Sequence, residues 1–228
     1  MIQPYYKTEL STIYHEDCFD VMKHIKDKSV DLIVSDVPYG INFVSGYRNI
    51  KHKKILNDNN LEWLSSFVSE SYRLLKDNTH LYCFCSFHNV DIFKQELQRK
   101  FKVKNILVWE KNNHGSGDLK GDYAPQYEFI IYCQKGERKL NGNRDSNIIK
   151  FQKTDNKLHP TQKPVDLIKY LINKSSNKHE LVLDMFHGSG TTSIACEQSN
   201  RRCIGIECDE QYCKINVERL KCIQQELF

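Results

Sequence analysis

The chain has 228 residues, of which 39% are hydrophobic and 27% charged, with a formal net charge of +4. That length supports one domain with a sizeable core, and no internal repeat or low-complexity segment interrupts it. No apolar run reaches the length of a membrane span. The opening residues MIQPYYKTEL lack the basic-then-apolar pattern of a signal peptide, so no membrane partner and a cytoplasmic location are expected.

The charge is too small to demand an anionic partner, so its distribution along the chain must carry that argument. Nine cysteines are present without any C-x-x-C pair. Cys83 and Cys85 alternate in HLYCFCSF, and Cys196, Cys203, Cys208, Cys213 and Cys222 scatter through helical and strand patterns. Reduced structural thiols are expected, with no metal site.

In chain order, TIYHEDC reads as a strand and turn, and CFDVMKHIKD as a short amphipathic helix. VDLIVSD is a buried strand, followed by a polar loop through residue 59. LEWLSSFVSESYRLLKD places Leu61, Leu64, Val68, Tyr72 and Leu75 on one helical face. HLYCFCSF, KNILVWE and YEFIIYC read as strands, with the helix VDIFKQELQRK between the first two. A polar stretch at 134–157 interrupts this series. Pro164 then opens the helix PVDLIKYLIN, and the strand LVLD runs into a helix near GTTSIACEQS. The strand RCIGIE and the helix DEQYCKINVERLKCIQQ follow. This alternation predicts an α/β fold with a mostly parallel sheet and helices on both faces.

Two stretches carry chemistry. VDLIVSDVPYG delivers Asp36, Val37, Pro38 and Tyr39 to the carboxyl end of a strand, where open α/β sheets bind ligands. LVLDMFHGSGTTS is a strand entering a glycine turn that opens a helix. It is not a P-loop, because Thr191 follows Gly190 where a lysine is required, and Ser193 stands in the place of the dinucleotide fingerprint's third glycine. Glu207, roughly 20 residues past the turn, suits the two hydroxyls of a ribose. An adenosine-type ligand is expected.

Together, DVPYG, DMFHGSGTT, LHPTQKPVDLI and HEDCFDVM resemble the motifs of the β group of S-adenosylmethionine-dependent DNA amino methyltransferases, of the adenine-N6 or cytosine-N4 type. The resemblance covers about residues 12 to 220. It implies a Rossmann-like methyltransferase fold with mostly parallel mixed sheet, in which the catalytic motif precedes the cofactor motif, a circularly permuted order. It implies S-adenosylmethionine as cofactor, with Asp184, Phe186, Gly188, Ser189, Gly190 and Thr191 around its methionine part. Glu207 would hold the ribose, Asp17 and Cys18 would border the adenine, and Thr161 and Lys163 would meet the cofactor carboxylate, with Asp36 shared between cofactor and catalysis.

The same resemblance implies that Asp36 and the carbonyl of Val37 accept the two N–H bonds of the target amine, and that Tyr39 stacks on a flipped base. Val37 departs from the family's D-P-P-Y, which removes one fixed φ and puts loop stiffness in question. Met185 is a milder departure of the same kind. An aspartate at the head of the motif points to adenine N6 over cytosine N4. RNA or protein-amide methylation and an inactive nucleic-acid-binding protein are the alternatives.

DNA is the expected partner, with a homodimer and a cognate restriction endonuclease left open. Arg48, Lys51, Lys53 and Lys54 follow the catalytic strand. The 134–157 stretch carries Lys139 and Arg144 among other basic residues, and it is the candidate target-recognition insertion in an otherwise single catalytic domain. That stretch is only about two dozen residues long, so the loops at 41–59 and 110–125 are expected to share the reading of DNA.

Overall fold

A computed structural model describes residues 2–40, 60–115, 120–154 and 161–226. The described strands form one sheet in the order β1-β2-β9-β8-β3-β4-β6-β5-β7. These are β1 (Tyr6–Lys7), β2 (Ser11–His15), β3 (Val30–Asp36), β4 (Leu75–Cys85), β5 (Lys102–Glu110), β6 (Tyr127–Lys135), β7 (Ile148–Lys150), β8 (Leu181–Asp184) and β9 (Arg202–Glu207). Helices α1 (Cys18–Met22), α2 (Leu64–Leu74), α3 (Val90–Gln98), α4 (Val165–Ser175), α5 (Thr191–Ser199) and α6 (Glu210–Glu226) connect and cover them.

The five central strands β2, β9, β8, β3 and β4 are parallel, while β6 runs antiparallel to both β4 and β5. The apolar run of β3 follows from its place: it is flanked by β8 and β4, and both of its faces are covered. On one face, Met22, Phe67, Val68, Phe93 and Leu97 from α1, α2 and α3 pack against Ile33, Cys83 and Ile131. On the other, Leu167, Leu171, Ala195 and Cys196 from α4 and α5 pack against Leu32, Val34, Tyr82 and Val182. All nine cysteines are free thiols. No helix among the described residues is long and apolar enough to cross a membrane.

From β3 the chain steps outward to β4, and from β8 it steps the other way to β9. The direction of winding therefore reverses between β3 and β8. This leaves a crevice at the carboxyl ends of those two strands, the standard ligand position of open α/β sheets.

One expectation needs correction. The periodicity of LEWLSSFVSESYRLLKD extends the helix through Asp77, yet α2 ends at Leu74. Leu75 is fully buried and pairs with Val30, so tertiary pairing starts the strand there, ahead of a register shift between Val30 and Leu32. The polar stretch that begins at residue 134 also enters the sheet at two places. Gln134 and Lys135 end β6 opposite His80 and Thr79, and residues 148–150 add the edge strand β7 in parallel with β5.

The glycine turn is fixed by what lies beneath it. Gly190 has φ +84°, and an added Cβ would lie 2.1 Å from Asn216 Oδ1. That same oxygen accepts from Ser193 Oγ at 2.8 Å, tying α6 to the start of α5. Gly190→Ala combines left-handed strain with a clash in a packed interior. It should lower stability by roughly 2–4 kcal/mol, read as a fall in denaturation midpoint at unchanged slope.

A second constraint sits midway along β4. His80 is fully buried, with Nδ1 2.8 Å from Ser175 Oγ and Nε2 2.9 Å from the Tyr132 hydroxyl. Burial holds its pKa down at about 4, against an ordinary 6.5. The folded state therefore keeps His80 neutral while the unfolded chain takes up a proton as pH falls through 6.5. His80 should accordingly cost the fold stability progressively between pH 6.5 and about 4, on the order of 3 kcal/mol in total. Chemical denaturation of the parent and His80→Gln across that range should show a steeper acid loss in the parent.

Candidate active site

β3 ends in Asp36 at the carboxyl edge, beside Phe84 of β4. Its Oδ1 accepts from the Tyr39 hydroxyl at 2.8 Å and its Oδ2 from Lys163 Nζ at 2.5 Å. Lys163 also lies 3.2 Å from Glu128 Oε2, and the Tyr39 hydroxyl is 3.1 Å from that same oxygen. Lys111 completes the group, with Nζ 2.6 Å from Glu128 Oε1. Two carboxylates and two ammonium groups thus form a neutral cluster in a largely water-excluded place. Lys163 is only 5% exposed, and its ammonium lies over the rings of Tyr39 and Phe84, 5.6 and 5.3 Å from their centroids.

The two acids respond differently to this setting. Burial pushes Asp36 above the ordinary carboxylate range, Lys163 opposes that rise, and Glu128 adds to it. Burial also acts to raise Glu128, but Lys163 and Lys111 overcome it and hold this acid at about 2. Lys163 is disfavoured by burial yet held above its ordinary value by Asp36 and Glu128. Buried charges persist only when paired in this way.

The DVPYG turn is pinned by packing. Val37 is buried in the core cluster beneath α2. Asn89 Nδ2 donates to the Tyr39 carbonyl at 2.7 Å, and Gly40 takes φ +71° against Leu61. The position that the family fills with proline is therefore anchored by an apolar side chain and by a cap from the residue preceding α3.

Across the crevice, β8 ends in Asp184, which is buried under the glycine turn. It accepts from Thr192 Oγ1 at 2.6 Å and from the Phe186 amide at 3.2 Å. Gly188, with φ +52°, donates its amide to Glu207 Oε2 at 2.7 Å, and the Asp209 amide donates to Oε1 at 2.8 Å. The Cys208 thiol also donates to Oε1 at 3.6 Å. The Ser189 carbonyl accepts from Arg219 Nη1 at 2.7 Å, and Thr191 is buried as the first residue of α5. Phe186 is half-buried against Trp63 and Phe67. His15 pairs with Glu207, which brings Asp17 and Cys18, at the start of α1, to the same edge. Asp17 caps that helix by accepting from the Phe19 amide at 2.8 Å.

Asp36, Val37, Pro38 and Tyr39, and the set Asp17, Cys18, Asp184, Phe186, Gly188, Ser189, Gly190, Thr191 and Glu207, thus come together along one sheet edge. Of the two residues that the resemblance sets against a cofactor carboxylate, Lys163 pairs here with Asp36 and Glu128 and donates to the Thr161 carbonyl at 3.3 Å.

The basic candidates divide. Arg48, Lys51, Lys53 and Lys54 lie outside the described residues. Lys139 and Arg144 follow the end of β6, at the amino edge of the parallel strands, opposite from Asp36. Their neighbourhood is held by structural bonds: Arg138 pairs with Glu180, and Lys174 with Asp145 and the Asn143 carbonyl. Sequence reasoning missed Glu128 and Lys111. The available signal was an acid in second place of the buried strand YEFIIYC, which requires a cationic partner. Among the described residues no His, Cys, Asp or Glu cluster could hold a metal ion.

Known proteins share sequence and fold with this chain. Residues 30–218 match the DNA methylase family. The type II methyltransferase M2.MboI of Moraxella bovis is 32% identical over 254 residues, spanning 96% of this chain and 91% of that protein. The DNA adenine methyltransferase YhdJ of Escherichia coli (strain K12) is 30% identical, spanning 93% of this chain and 83% of its own. The solved M1.HpyAVI-SAM complex is 27% identical, with a TM-score of 0.73 over 92% of this chain and 100% of that one. The matched region runs from the strand that carries Asp36 into α6, and M2.MboI aligns over nearly all of both chains, so this protein belongs to the DNA methylase family.

Proposed function

We propose that the protein transfers a methyl group from S-adenosylmethionine to the exocyclic N6 amine of adenine in DNA, as one catalytic domain. The observation that carries this reading is the acid at the switch point. Asp36 ends β3 directly across the crevice from the glycine turn of β8. Membership of the DNA methylase family and the name of YhdJ support adenine as the target.

The donor set suits the cofactor. Glu207 offers a carboxylate for the ribose hydroxyls, Phe186 offers an aromatic face, and the glycine turn lies at the positive end of α5. When bound, the cofactor supplies an electrophilic methyl group whose departing electron pair neutralises a sulfonium. The protein's own work is to make an exocyclic amine, whose lone pair is delocalised into the ring, into a nucleophile. Asp36 and the Val37 carbonyl accept its two N–H bonds and draw the lone pair out of the ring plane. They then stabilise the positive charge that develops on nitrogen, and one N–H proton leaves through Asp36. Tyr39 contributes a half-buried ring for a base taken out of the stack.

The exposed rings Phe87, just past β4, Tyr123, in the β5–β6 connection, and Tyr127, at the start of β6, lie on the Asp36 side of the sheet and support DNA approaching there. Cytoplasmic action on DNA fits this reading, as does a homodimer. The type II naming of M2.MboI supports a cognate restriction endonuclease as a genetic partner.

Asp36→Asn keeps the shape and removes the charge, so single-turnover methyl transfer should slow by about 10²–10³, with S-adenosylmethionine affinity retained within a few-fold. Transfer within a few-fold of the parent would sink the mechanism. Lys139→Ala and Arg144→Ala, far from the crevice, should leave the salt dependence of DNA binding unchanged. A slope lower by about one unit in either would bring DNA to the amino edge and require a different approach.

A further inference from the structure

We propose that Glu128 is a positioning residue for methyl transfer. From β6 it holds one side of the Lys163 ammonium and the Tyr39 hydroxyl, so that Asp36 meets the target amine with part of that lysine's charge drawn away. This inference rests on the methyltransferase reading above and adds a residue to its machinery.

The geometry is unusually shared. One ammonium, Lys163 Nζ, lies 2.5 Å from Asp36 and 3.2 Å from Glu128, and one hydroxyl, that of Tyr39, lies 2.8 Å from Asp36 and 3.1 Å from Glu128. The two acids stand on strands that are not neighbours, since β4 separates β3 from β6. Lys163 and Tyr39 are the bridges between them. Were Glu128 neutral, the whole lysine charge would rest on Asp36 and make its oxygens weaker acceptors. Acceptor strength is what the reaction draws on: the carbon–sulfur bond breaks with its electron pair going to sulfur, the nitrogen–carbon bond forms, and the N–H proton passes to Asp36 and on to water.

Lys111 sets how strongly Glu128 acts. It lies just past β5, 2.6 Å from Glu128 Oε1, and competes with Lys163 for the same carboxylate. The titratable and charged groups facing Asp36 and this cluster are Tyr39 from its own turn, Lys163 from the lead into α4, Glu128 on β6, Lys111 beyond β5, and the thiols of Cys83 and Cys85 on β4. Burial holds both thiols well above neutrality, so they stay uncharged. Glu128 is pinned ionised by its two lysines. The opposed pulls of Glu128 and Lys111 give the inference its signature.

The test is a carbon-13 titration of the Asp36 carboxyl in full-length protein, assigned by its loss in Asp36→Asn, with single-turnover transfer measured on the same variants. Glu128→Gln should lower the Asp36 midpoint by about one pH unit and slow transfer roughly tenfold. Lys111→Met should move the midpoint the other way. Cofactor affinity should hold in both, and one folded variant suffices to read the sign. A midpoint unmoved in the folded variants, or moved in the same direction by both, overturns the inference and leaves Glu128 as packing. Label transfer by the parent judges the methyltransferase reading separately, because the titration needs no turnover.

Discussion

The Lys163 ammonium, buried between Asp36 and Glu128, is the interaction on which the carboxyl edge of the sheet depends. It joins positions 127 residues apart and brings together β3, β6 and the segment that leads into α4. None of the three groups is stable there alone. A carboxylate or ammonium taken out of water without a partner would neutralise or pull the site open, and breaking a buried pair by removing one member typically costs about 3–5 kcal/mol. Asp36 is therefore held by the same contact that closes the fold around it, and it cannot be described apart from Lys163 and Glu128.

That contact also explains how a permuted order of motifs yields one site. Asp36 comes early in the chain and the glycine turn late, yet β8 pairs with β3 through Leu32–Val182 and Ile33–Leu183. Pairing over such sequence separation has a high loop-closure cost and forms slowly. It is favoured here because both strands are apolar on both faces and lie between two helical layers. The buried Asp31 ties the same two strands at their amino ends, accepting from the Leu181 amide at 2.9 Å and pairing with Lys76. Thus the crevice is bounded by charge at its carboxyl lip and fixed by a second buried acid at its base.

Most of the architecture was legible because each element carries its own periodicity. The doubly buried strands read as apolar runs, α2 and α4 as amphipathic helices, and the glycine turn as a strand-to-helix corner. The parts that were not legible share one cause, which is that partners distant in sequence decide them. Leu75 leaves the helical pattern because Val30 needs a strand partner. Residues 148–150 become β7 because β5 offers an open edge. The pairing of Lys163 with Asp36 and Glu128 cannot be read from LHPTQKPVDLI, because both acids lie far from it in sequence. Lys139 and Arg144 read as a basic segment near the site until the antiparallel direction of β6 carries them to the far edge.

Val37 draws these points together. A proline would stiffen the DVPYG turn through its own ring, restricting φ without help from its surroundings. Here the stiffness is supplied from outside the turn. The Val37 side chain is buried in the core cluster beneath α2, the Tyr39 carbonyl is held by Asn89, and the Tyr39 hydroxyl is tied to Asp36 and Glu128. Val37 is thus held by packing, and Asp36 and Tyr39 on either side of it by polar contacts. A backbone acceptor needs no particular side chain, only a fixed direction. The departure from the family residue therefore shifts where the rigidity comes from, from a local covalent constraint to tertiary contacts that exist only once β3, β6 and α3 have assembled.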